Sequence, residues 1–89
     1  MNNQKLQGLQ KIPGVGKIIA GDFLDIGIKH VSDLKGKSPE ELYQKICDKQ
    51  GIEVDRCMLY VCREAVYFAE TPEDERELEK LKWWNWKNS

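Results

Sequence analysis

Ile12-Pro13-Gly14-Val15-Gly16-Lys17 decides how this chain is read, because six residues hold both a sharp turn and the start of a helix. Pro13 fixes φ near the value of a turn and ends whatever helix precedes it, while Gly14 and Gly16 are expected to take φ > 0 and to expose bare backbone. Beyond them Ile19, Phe23 and Ile26 recur at helical intervals. A helix is therefore expected to open at Gly16. Its first amides would lack internal partners and sit at the positive end of the helix dipole, which makes the turn a seat for an anion, phosphate above all.

The flanks extend the pattern. Leu9, Ile12, Pro13, Gly14, Val15, Gly16, Ala20, Leu24, Gly27, Ile28, Val31 and Leu34 stand in an order and spacing that resembles the helix-hairpin-helix motif. The resemblance implies a short helix, a hairpin and a second helix that grip a nucleic-acid backbone without reading bases. It implies amide donors at Gly14, Gly16 and Lys17 with added charge from the Lys17 ammonium, so the candidate DNA-phosphate site is Gly14, Val15, Gly16, Lys17 and Lys11. The alternative is a hairpin that only joins two packed helices in a domain that binds protein.

Outward from the hairpin, residues 4 to 10 read as a short first helix with Leu6 and Leu9 facing the second. The second helix ends near Ile26, where Gly27 offers a C-terminal cap. Val31 and Leu34 mark one further helical turn. Ser38-Pro39-Glu40-Glu41 is a helix start with Ser38 as N-cap and Pro39 at the first position, and this helix runs to about Lys49 with Leu42, Ile46 and Tyr43 inward. Residues 54–70 are apolar almost all round, as expected of a central helix in which thiols are buried. Thr71-Pro72-Glu73 reads as the start of another helix with a thin edge of Leu78 and Leu81. The expected fold is all-α: one compact domain over 1–89, of five or six helices, with the hairpin motif in 1–35, a helical pair in 38–70, and a C-terminal helix and Trp-rich tail in 71–89. The helical pair could be a degenerate second hairpin, but it lacks Pro-Gly-x-Gly and is given no phosphate contacts.

The net charge of −1 over 89 residues argues by itself against a general nucleic-acid binder, yet it conceals a split. Residues 1–37 carry six lysines against three aspartates, and the remainder carries eight basic against twelve acidic residues. Positive charge travels with the hairpin. Cys47, Cys57 and Cys62 are odd in number and lack Cys-x-x-Cys spacing, which points to reduced thiols and a cytoplasmic protein. No apolar run suits a signal peptide or a membrane span. The lone His30 has no nucleophile partner, and the cysteines lack metal-ligand spacing, so no enzyme, cofactor, metal or small-molecule substrate is expected.

Two further groups are candidates for a secondary surface. Arg56, Tyr60, Arg63 and Tyr67 fall along one stripe of the central helix, and Trp83, Trp84 and Trp86 crowd the C-terminus. They could meet a nucleic acid, but packing of the stripe on the tail by cation–π contacts is the favoured reading, with Asp55 and Glu64 as ion-pair partners. From end to end the chain resembles the small bacterial "pathogenicity locus" family. The resemblance is carried by Ile12-Pro13-Gly14-Val15-Gly16, Leu24-Asp25-Ile26-Gly27-Ile28, Pro39-Glu40-Glu41-Leu42-Tyr43, Asp55-Arg56-Cys57-Met58-Leu59-Tyr60, Arg63-Glu64-Ala65-Val66-Tyr67-Phe68 and Leu81-Lys82-Trp83-Trp84-Asn85-Trp86-Lys87. It implies a helix-hairpin-helix, SAM-like fold. The expected activity is weak, salt-dependent DNA binding, with a protein-interaction module or an accessory subunit of a DNA-handling complex as the alternative.

Overall fold

The structure, a computed structural model, describes residues 8–87. It is all-helical, and no strand occurs among the described residues. Three α-helices, α1 (Lys17–Asp25), α2 (Pro39–Gln50) and α3 (Cys57–Glu70), are joined by 3-10 turns at Val31–Leu34, Glu73–Glu75, Leu78–Leu81 and Trp83–Trp86. The first helix expected over residues 4 to 10 falls mostly outside the described residues, Leu6 included. Gly8 and Leu9 carry its helical end, and Leu9 is fully buried.

Local chemistry explains each boundary. At the end of α1, Gly27 takes φ 91°, its N–H donates to the Leu24 carbonyl at 3.0 Å, and the Ile28 N–H donates to the Phe23 carbonyl at 2.9 Å. This paired cap turns the chain back and buries Ile28. The Val31–Leu34 turn, expected to bury both its apolar residues, buries Leu34 and leaves Val31 half-buried, and the Asp33 carboxylate accepts from the Lys29 and His30 amides at 3.0 Å each. α2 starts as its sequence dictates: Ser38 Oγ accepts from the Glu41 N–H at 3.4 Å, with Pro39 at the first position. Its inner face is Leu42, Ile46 and Cys47, and half-buried Tyr43 donates its hydroxyl hydrogen to the Val54 carbonyl.

α3 is the axis of the core and packs against α2, the Val31–Leu34 turn and the C-terminal turns. Met58, Leu59, Val61, Cys62, Ala65, Val66, Phe68 and Ala69 are all buried on it. The helix begins at Cys57, where the Asp55 carboxylate accepts the Cys57 N–H at 2.8 Å. Asp55 is thus a cap and not the ion-pair partner expected. Cys57 is exposed, against expectation, because the first turn of α3 buries its Met58 and Leu59 side and leaves Cys57 on the other, whereas burial pushes the Cys62 thiol up to about 12.

The expected helix after Thr71 does not form. Arg76 Nε donates to the Phe68 and Thr71 carbonyls at 3.2 and 2.9 Å, and its guanidinium lies 3.6 Å from the Phe68 ring centroid. The Tyr67 hydroxyl accepts the Glu77 N–H at 2.8 Å. These contacts hold the segment against the end of α3. With Leu78 79% exposed, no apolar stripe remains to dock a continuous helix, and short 3-10 turns result. No helix among the described residues is long and apolar enough to cross a membrane.

Candidate nucleic-acid interface

The hairpin hangs from two anchors. Ile12 and Val15 are buried in the core, and between them Pro13-Gly14 bulges outward. The Val15 N–H donates to the Ile12 carbonyl at 3.0 Å and closes the turn, while Gly14 takes φ 85°. Gly16 departs from expectation, for it lies at φ −92° and ψ −168°, extended backbone open to any residue. It is the N-cap of α1, without a side-chain cap and with no acid in the first helical turn.

The donors sort cleanly. Ala20 makes the first bond of the α1 ladder, N–H to the Gly16 carbonyl at 2.9 Å. Among the described residues, the Gly14, Gly16, Lys17, Ile18 and Ile19 amides reach no acceptor. Gly16, Lys17 and Lys11 are exposed, and Ile18 is 81% exposed beside them. Gly14, Gly16 and Lys17 of the predicted set thus stand exposed with open amides, whereas the Val15 donor is spent inside the turn, so Val15 anchors the hairpin and does not reach outward.

Beneath the hairpin lies a residue that sequence reasoning misplaced. Glu64 of α3 is fully buried, and neither carboxyl oxygen has a hydrogen-bond partner among the described residues. Burial alone raises its pKa to about 8, so it is protonated at neutral pH. A Cβ placed on Gly14 would lie 3.0 Å from Trp83 Cδ1 and 3.6 Å from Glu64 Oε1. Hairpin, α3 and the last 3-10 turn thus meet at one point. The sequence did hold the signal, since Glu64 falls three positions after Val61 and four before Phe68, on the buried face.

Among the described residues no cation–π contact joins the stripe to a tryptophan, and Arg63 ties the stripe to the tail, though not as expected, pairing with Glu40 and not with Glu64. Its Nη1 donates to the Trp86 carbonyl at 2.7 Å and its Nη2 pairs with the Glu40 carboxylate at 3.3 Å. Its guanidinium lies 5.7 Å from the Tyr60 ring centroid, and the Tyr67 and Trp86 ring centroids are 5.6 Å apart. Trp86 Nε1 donates to the Lys80 carbonyl at 2.9 Å. Trp83 and Trp84 stack edge to face, with Trp84 half-exposed. The tail is folded back on α3, held by a hydrogen bond and a ring contact in place of the expected cation–π stacking, while Arg56 stands apart and exposed at the N-cap of α3. Arg63→Ala should lower stability by roughly 2 kcal/mol and shift tryptophan emission to the red. Unchanged emission in that variant would mean that Arg63 does not hold the tail.

A family model described as "Pathogenicity locus" matches residues 2–89. The mitomycin resistance protein McrB of Streptomyces lavendulae is 31% identical over 78 residues, covering 88% of this chain and 69% of that protein. No solved structure matches the chain. The match along nearly the whole sequence settles the family: the chain belongs to the pathogenicity locus family.

Proposed function

We propose that the chain binds DNA through its backbone phosphates at a helix-hairpin-helix element centred on the hairpin, without strong base preference. The observation that carries this reading is the cluster of amides at Gly14, Gly16, Lys17, Ile18 and Ile19 left without acceptors at the uncapped start of α1. Gly16 adds to it. Its backbone is ordinary and a Cβ there would meet nothing within 4 Å, so packing does not call for a glycine, whereas close approach of a phosphate does. Lys17 and Lys11 supply charge without reading sequence.

Lys17→Glu should weaken binding to a short duplex by tenfold or more at low salt, with the melting temperature unchanged. For the wild type, the slope of log K against log salt should be about −2 to −3, as expected when two or three phosphates are neutralised. Equal affinity of both proteins would leave the hairpin as a helix connector. The second reading, a protein-interaction module or accessory subunit, draws on exposed Leu78 and Trp84, and it predicts a stable protein partner in place of salt-dependent retention by DNA.

A further inference from the structure

We propose that Glu64 sets the charge beneath the hairpin, so that a phosphodiester is held at Gly14, Gly16 and Lys17 only while Glu64 carries a proton. The inference rests on the phosphate reading above and names how that site is regulated. Its ground is geometric: a wholly buried carboxyl with two unpartnered oxygens lies against Gly14, the residue at the tip of the proposed seat. Protonated, Glu64 leaves the amides and Lys17 to govern the field. Ionised, it places an unscreened negative charge directly behind them.

Among the described residues no neighbour offsets that charge. From the hairpin, Lys11 and Lys17 point to solvent; from α2, Glu40 is paired with Arg63; from the C-terminal turns, Lys82 is paired with Glu79. Asp33 in the Val31–Leu34 turn is held by the Lys29 and His30 amides, and Asp22 of α1 by Gln50. None of these groups is bonded to Glu64. Because burial alone raises the pKa of this carboxyl to about 8, the change falls just above neutrality. At an effective dielectric of about 20, repulsion between two like unit charges roughly 5 to 10 Å apart corresponds to a loss of affinity on the order of ten- to a few-hundred-fold.

Titration calorimetry of the full chain with a short duplex of arbitrary sequence tests this at constant ionic strength, in buffers of differing ionisation enthalpy. The dissociation constant of the wild type should rise at least tenfold from about pH 6.5 to 9, with net proton uptake on binding near pH 8. Glu64→Gln should bind as the wild type does at pH 6.5 and show neither the rise nor the uptake. Glu64→Met, a second non-ionising variant, should behave likewise and serves if the amide variant does not fold. The same rise and uptake in the variants, or their absence in the wild type, overturns the inference and leaves the phosphate reading standing. No binding at any pH, in wild type or variant, overturns both.

Discussion

Glu64→Gln should raise the melting temperature at neutral and alkaline pH, and the gain should vanish in acid. The ordinary pKa of a glutamate is 4.5, and burial raises that of Glu64 to about 8 in the folded chain. Below 4.5 both states are protonated and the side chain contributes no pH dependence. Between 4.5 and about 8 the unfolded chain releases a proton that the folded chain keeps, so stability falls as pH rises. Above that window the loss is complete. At about 1.4 kcal/mol per pH unit, the ionisation penalty in the wild type reaches on the order of 3 to 5 kcal/mol. Gln has nearly the same shape and also lacks a partner, so it removes the ionisation penalty and nothing else. For a domain of this size the gain should exceed ~10 °C at pH 9. Circular-dichroism melts at acid, neutral and alkaline pH provide the check: a difference that stays constant across pH would show that Glu64 does not fold as a neutral acid.

That penalty is large beside the roughly 5 to 15 kcal/mol that holds a domain together. A leucine or methionine on the same face of α3 would pack without it. The position of Glu64, behind the one cluster of open amides on the hairpin, supplies a reason for the acid that packing does not. Stability and the proposed phosphate site are thus tied to the same proton.

Much of this architecture was legible because it is written in local chemistry. Ser38-Pro39 with Glu41 fixed the start of α2, Gly27 fixed the end of α1, and the alternation of Val31 and Leu34 fixed the turn between them, since caps and short apolar repeats act within one or two turns of the chain. The tight turn at Pro13-Gly14 was legible for the same reason. What escaped was set by distant partners. Arg76 breaks the expected last helix by reaching back to the Phe68 and Thr71 carbonyls, and no period in residues 71–86 announces that. The charge of Glu64 points to an ion pair, whereas its spacing from Val61 and Phe68 places it inward, and position wins. Residue type alone points both Gly14 and Gly16 to a left-handed backbone, yet only Gly14 of the two adopts one.

Gly14→Ala should therefore be the most damaging small change in the hairpin, and Gly27→Ala tells why. Both glycines sit at positive φ, 85° and 91°, so either substitution forces an L residue into left-handed backbone at about 1 to 2 kcal/mol. At Gly27 a Cβ meets nothing within 4 Å, and the backbone cost is the whole cost. At Gly14 the added carbon meets Trp83 Cδ1 at 3.0 Å and Glu64 Oε1 at 3.6 Å. Either the indole moves or the hairpin does, adding roughly 1 to 2 kcal/mol and taking the total to about 2 to 4. Urea unfolding should place Gly14→Ala below Gly27→Ala by that margin, and its tryptophan emission alone should shift, because it alone disturbs Trp83. Equal losses in the two variants, with emission unmoved in both, would mean that the Trp83 ring gives way freely and that the tail does not brace the hairpin. Gly16→Ala completes the comparison. With ordinary backbone and open space it should unfold within about 1 kcal/mol of the wild type, so any loss of DNA affinity there belongs to the ligand's approach and not to the fold.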